Sequence, residues 1–143
     1  MDAPDKVATL VLDSWPVMEW LQAREPATAY FDRLIERVLR GEVRVIMSRI
    51  NLGEVLYSCW KLKTGDPAML FTDVEALPIE VISVDDDVVI EAAHIKAFSK
   101  ASYADCFAAA LALRFDVPVV TGDLDFRELL VTQPKLRIEW AGT

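Results

Sequence analysis

Val7 to Leu12 (VATLVL) is a nearly continuous apolar run without polar alternation, and it stops on Asp13. A strand buried on both faces reads this way, and such strands occupy the interior of parallel sheets covered by helices on each side. Val43 to Met47 and Val117 to Thr121 repeat the pattern, while the segments between carry apolar residues at helical spacing. Ser14 is expected to cap a short first helix, with Pro16 in its first turn. Pro26 opens a second, striped by Phe31, Leu34, Ile35 and Val38 and ended by Gly41. Ser48 introduces a long helix with Leu52, Val55, Leu56, Cys59 and Leu62 on one side, and Gly65 is expected to stop it. Asp66 and Pro67 start a helix to about Leu77, Ile79 to Val84 is the third strand, and Asp85 to Asp87 begin a helix to about Lys100. Ser102 caps an alanine-rich helix to Phe115, a short helix covers about Phe126 to Leu130, and Leu136 to Trp140 is a candidate fifth strand. This alternation predicts an α/β fold with a mostly parallel sheet. No linker or repeat divides the 143 residues, 53% of them apolar, so residues 1–143 are expected to form a single domain.

Charge and chemistry narrow the function. Fifteen basic against twenty-three acidic residues leave a net charge of -8, so a polyanion must meet a local basic patch or a bound cation. The single histidine, His94, excludes a hydrolase built on two imidazoles and a His/Cys-rich zinc site. Cys59 and Cys106, far apart, exclude a disulfide framework and suit a reducing compartment. The acidic start and short apolar runs give no leader or membrane span, so a cytoplasmic protein is expected.

In a parallel sheet every connection leaves from a strand's carboxyl end, and the helix feeding the next strand begins at that same end. Asp13 follows strand one, Asp123 and Asp125 follow strand four in VVTGDLDF, and Asp105 lies in the first turn of the helix feeding strand four. Glu54 is about one and a half turns into the helix after strand two. Each acid alone also has a plainer use. Asp105 stands at capping spacing from Ser102, Asp125 with Glu128 suits a helix start, Asp13 and Asp123 suit turns, and Glu54 shares a solvent-facing side with Ser58 and Lys61. Together they need compensation: two carboxylates about 5 Å apart repel by roughly 3 kcal/mol at an effective dielectric near 20. Protonation that raises some of their pKa values is one means, and Mg²⁺ or Mn²⁺, which prefer oxygen ligands, supply it more directly.

Four stretches, VLDSWPVMEWL, SRINLGEVLYSCWK, SYADCFAAALA and VVTGDLDF, in that order, resemble the PIN-domain ribonucleases, most closely the VapC-type toxins of prokaryotic toxin–antitoxin pairs. The resemblance implies a three-layer α/β/α domain with a five-stranded sheet in the order 3-2-1-4-5. It also implies Mg²⁺- or Mn²⁺-dependent endoribonuclease activity leaving 5′-phosphate and 3′-hydroxyl ends, homodimerisation, and an antitoxin that inserts into the acidic groove. By position, Asp13, Glu54, Asp105 and Asp123 match the family's catalytic and metal-binding acids, and Asp125 matches an additional acid near the metal. Thr121 matches the hydroxyl beside the fourth acid, and Ser14 supports the first. Trp15 and Pro16 depart from the small or aliphatic residues usual there. Trp15 either narrows the groove and stacks on a base or plugs the first helix.

Arg33, Arg37 and Arg40 read as a solvated face, whereas Arg49, Lys61 and Lys63 around the Glu54 helix are the basic group expected to follow an RNA backbone. His94, between Glu91 and Phe98, and Cys106 read as structural. Two other classes fit less of the pattern. A binding module would have its groove crowded by Trp15 and Pro16, and a phosphoacceptor domain would use Asp85 but lacks the acid pair after strand one.

Overall fold

Along β1 (Ala8–Leu12) side chains alternate between two cores, Leu10 and Leu12 in one and Val11 in the other. That alternation makes β1 the interior of a sandwich. The computed structural model describes residues 7–63 and 66–142. β2 (Val43–Ser48), β3 (Glu80–Ile82), β4 (Val119–Thr121) and β5 (Ile138–Trp140) complete a five-stranded sheet ordered β3-β2-β1-β4-β5, with all pairings parallel. On one face lie α1 (Ser14–Leu21), α2 (Ala27–Leu39), α3 (Arg49–Leu62) and α4 (Pro67–Glu75), which bury Val17, Phe31, Leu34, Val55 and Val74 against Leu12 and Met47. On the other lie α5 (Asp86–Ala97), α6 (Tyr103–Phe115) and α7 (Phe126–Thr132), which bury Ile95, Leu111 and Phe126 against Val11 and Val119. Each such fully buried side chain contributes on the order of 1.5–3 kcal/mol.

The chain builds outward from β1 to β3, then crosses to the far side of β1 to lay down β4 and β5. Strand order therefore reverses at β1 and β4, whose carboxyl ends leave a crevice between diverging connections. Four of the five alanines of α6 (Ala108, Ala109, Ala110 and Ala112) are buried, and their small size seats that helix deep between α5, α3 and the sheet. Its first turn is thereby carried into the crevice.

Several expected boundaries move. Ser14 does not cap α1: Asp13, extended at φ -76° and ψ 166°, is the capping position, and the Ser14 hydroxyl instead donates to the Asn51 carbonyl at 3.0 Å. α3 ends at Leu62 because Lys63 turns left-handed at φ 53°. Gly65 lies outside the described residues. α4 stops at Glu75 and α5 at Ala97, short of Leu77 and Lys100, and the last three strands are each trimmed to three residues. The caps at Ser48, Asp66, Asp85 and Ser102 form as the sequence indicates. Among the described residues, no helix is long and apolar enough to cross a membrane.

Candidate metal centre

Asp13 directly follows β1, and its side chain is free for the crevice because it makes no capping bond. Its Oδ2 accepts a hydrogen bond from Thr121 Oγ1 at 2.8 Å. Thr121, the last residue of β4, in turn accepts from the Asp123 N–H at 3.1 Å, and Asp123 Oδ1 accepts from the Asp125 N–H at 2.9 Å. One hydroxyl thus ties the end of β1 to the loop that carries two further acids. Asp105 enters from α6, where its N–H is capped by Ser102 Oγ at 3.1 Å. Asp13 and Asp105 are buried, at 1% and 3% exposure.

Glu54 joins them from α3. Viewed on its own helix it faces away from the apolar stripe, but the start of α6 packs over that side and leaves it half-buried, with Tyr57 donating to its Oε2 at 3.4 Å. Carboxylate oxygens of Asp13, Glu54 and Asp105 lie within 4.8 Å of one another, as do those of Asp105, Asp123 and Asp125. Asp105 belongs to both groups. All five acids line one cavity of about 240 Å³, with Ser14 and Trp15 in its wall. A larger hollow of about 520 Å³ beside α5 and α6 has only exposed acids, Glu91 and Asp116, and nothing comparable to this buried cluster.

Trp15 lines the acidic cavity and also packs against the core beneath α1. Arg49 borders an adjoining groove that shares Glu54 and Ser102 with the acidic cavity. Lys61 and Lys63 are exposed at the other end of α3, about 10 Å or more along the helix from Glu54, and line neither the acidic cavity nor the adjoining groove. Asp125 stands before α7 without a capping bond, so its carboxylate is not committed to the helix. Asp85 caps α5 through the Val88 N–H and pairs with Arg114 at 2.8 Å. Arg37 pairs with Glu139, and His94 packs edge-on to Phe98 with ring centres 5.3 Å apart. Asn51 escaped the sequence reading. It is a wholly buried polar residue on the apolar side of α3, and a polar interruption three positions after a helix cap was its only signal.

Burial is the main reason the Asp13 carboxyl rises from its ordinary 3.8 to about 7, with Glu54 and Asp123 adding repulsion and the Thr121 hydrogen bond opposing. Burial likewise raises Asp105 to about 8, reinforced by Asp13, Asp123 and Glu54 in that order. The folded protein therefore binds more protons than the unfolded chain between about pH 4 and pH 8. The stability contributed by these two groups is complete below that window and is lost as pH rises through it. Thermal melts in chelator are expected to show Tm falling from about pH 5 to about pH 9, with divalent cation recovering part of the loss. A chelated Tm that climbs over that range would contradict the assignment.

The donors are all carboxylate oxygens, and among the described residues neither candidate cluster contains His or Cys. Such a set fits hard cations of the Mg²⁺ and Mn²⁺ type rather than zinc.

Comparison with known proteins agrees with the fold. The VapBC2 complex of Rickettsia felis bound to a fragment of promoter DNA aligns with TM-score 0.67 at 16% identity, covering 93% of this chain and 98% of that one. DNA-bound VapBC of Salmonella typhimurium aligns with TM-score 0.65 at 23% identity, covering 93% and 98%. Mycobacterium tuberculosis VapC20, a toxin that cleaves the sarcin–ricin loop, aligns with TM-score 0.62 at 14% identity, covering 77% and 86%. No curated protein matches the chain in sequence. The family model for the PIN domain, however, matches residues 10–130, a span that runs from β1 through α7 and includes every acid of the cluster. The chain belongs to the PIN-domain family.

Proposed function

We propose that this protein is a divalent-metal-dependent endoribonuclease acting as the toxin of a toxin–antitoxin pair. The observation that carries the reading is the convergence of Asp13, Glu54, Asp105, Asp123 and Asp125 on one cavity at the carboxyl ends of β1 and β4, within a PIN domain. Asp13, Glu54, Asp105 and Asp123 hold Mg²⁺ or Mn²⁺, and Asp125 contributes directly or through water. When bound, the cation supplies Lewis-acid activation of water and offsets charge on the phosphodiester. Thr121 Oγ1 fixes the rotamer of Asp13, and Ser14 anchors the first turn of α1 to α3 through the Asn51 carbonyl. Burial favours the protonated forms of Asp13 and Asp105, so occupation of the site expels protons from those carboxyls and binding strengthens as pH rises. His94 lies on α5 against Phe98, so the proposed chemistry uses no imidazole.

Arg49, beside the Glu54 groove, is the cation best placed to hold a flanking RNA phosphate, with Trp15 offering a stacking face and Lys61 and Lys63 meeting only a longer strand. Residues 1–143 act as a single domain, a homodimer in the cytoplasm. The toxin–antitoxin names of the structural neighbours support a cognate antitoxin that inserts into the acidic groove.

The direct test is cleavage of RNA with and without chelator. EDTA is expected to stop cleavage and excess Mg²⁺ or Mn²⁺ to restore it, with 5′-phosphate and 3′-hydroxyl products. Cleavage that persists in EDTA would reject the metal-dependent reading.

A further inference from the structure

Asn51 occupies the first turn of α3 where the starts of α1, α3 and α6 meet, and it has no exposed surface. Its Oδ1 accepts from Ser48 Oγ at 2.5 Å. Its Nδ2 faces the Ala104 carbonyl at 3.1 Å, Ser14 Oγ at 3.3 Å and Asp13 Oδ1 at 3.4 Å. The Ser14 hydroxyl hydrogen is already given to the Asn51 carbonyl, so Ser14 Oγ can only accept from the amide. Turning the amide over would set its oxygen against a carboxylate and a carbonyl, so the surroundings dictate its orientation. One rigid planar group therefore joins Asp13 to the residue preceding Asp105, the two most deeply buried acids of the centre.

A neutral amide suits this place better than the alternatives. A Lys or Arg would cancel the charge that attracts a cation, and another carboxylate would add repulsion. An aliphatic side chain would take from Asp13 Oδ1 and the Ala104 carbonyl the one donor that links them. We infer that Asn51 is a positioning residue for the acidic centre: its amide fixes Asp13 relative to Asp105 and so sets the affinity of the pair for a divalent cation. The inference rests on the nuclease reading above, in which those two acids hold that cation.

The experiment compares wild type, Asn51→Leu and Asn51→Ala by Mn²⁺ calorimetry and by RNA cleavage. Val45→Ala serves as a control weakened in the core of β2, away from the centre. Leu preserves volume, whereas Ala leaves room for a water to stand in for the amide and decides the question if the Leu variant does not fold. In variants that melt above the assay temperature, the Kd for Mn²⁺ is expected to weaken about 10- to 100-fold. At limiting Mn²⁺, kcat falls while KM for RNA stays near wild type, and raising Mn²⁺ by the same factor restores kcat. Val45→Ala keeps wild-type Mn²⁺ affinity. Unchanged Mn²⁺ affinity in the folded Asn51 variants overturns the inference and leaves the nuclease reading intact, as does an activity loss that added Mn²⁺ cannot restore. Absence of Mn²⁺ binding by wild type overturns the nuclease reading itself.

Discussion

Replacing Asp105 with Asn is expected to cut RNA cleavage at least ~100-fold, equivalent to about 3 kcal/mol or more of transition-state stabilisation, while making the cation-free protein harder to melt at alkaline pH. The two effects share one cause. Asp105 is the acid common to both carboxylate groups, so its charge is the one most needed by a cation and the one most resisted by its neighbours. Near pH 5 the buried carboxyl is protonated, and the neutral amide gains little. As pH rises through about 8, wild type must ionise this group beside Asp13, Asp123 and Glu54, whereas the amide stays neutral. The Tm difference between Asp105→Asn and wild type, measured in EDTA, should therefore widen from near zero to several degrees between about pH 5 and pH 9. A variant that loses activity and is also less stable than wild type at alkaline pH would show that Asp105 serves the fold more than the centre.

Gly122→Ala is the second large expected effect, and it works through space rather than charge. Gly122 separates Thr121 from Asp123, and a Cβ there would fall 2.3 Å from Trp15 Cζ3, 2.4 Å from Cη2 and 2.6 Å from the Ala141 carbonyl oxygen. The indole is half-buried in the wall of the acidic cavity. Either the ring moves into the cavity or the β4 loop lifts, and the second displaces Asp123. Overpacking of this kind costs about 1–3 kcal/mol, so Tm should drop by roughly 3–10 °C, and cleavage should fall further than stability alone explains. Combining it with Trp15→Ala removes the ring but not the Ala141 carbonyl, so only partial recovery of Tm is expected. A Gly122→Ala protein that melts and cleaves like wild type would mean that the loop and indole adjust freely.

The sheet was legible because β1, β2 and β4 are buried from both sides and their apolar runs admit few other uses. Convergence of Asp13, Asp105, Asp123 and Asp125 followed from parallel topology alone, since every connection leaves the sheet at one edge. What stayed ambiguous depends on contacts between elements. Glu54 looks solvated on its own helical wheel, which carries no information about the α6 turn that covers it. Ser14 looks like a cap, but its hydroxyl is claimed by a carbonyl thirty-seven residues away. Asn51 looks like a flaw in an apolar stripe until the three helix starts are brought together around it. Lys61 shares a helix with Glu54 but lies about two turns further along, and it lines neither the acidic cavity nor the adjoining groove.

The helix that follows Asp13 and the helix that carries Asp105 lie on opposite faces of the sheet. Neither half of the molecule holds a complete set of acids, and the Asp13–Thr121 bond spans most of the chain's length. The acidic centre is complete only after both layers have closed on the sheet. A ribosome-bound or prematurely terminated chain ending before β4 lacks Thr121, Asp123 and Asp125 and so cannot assemble the acidic centre.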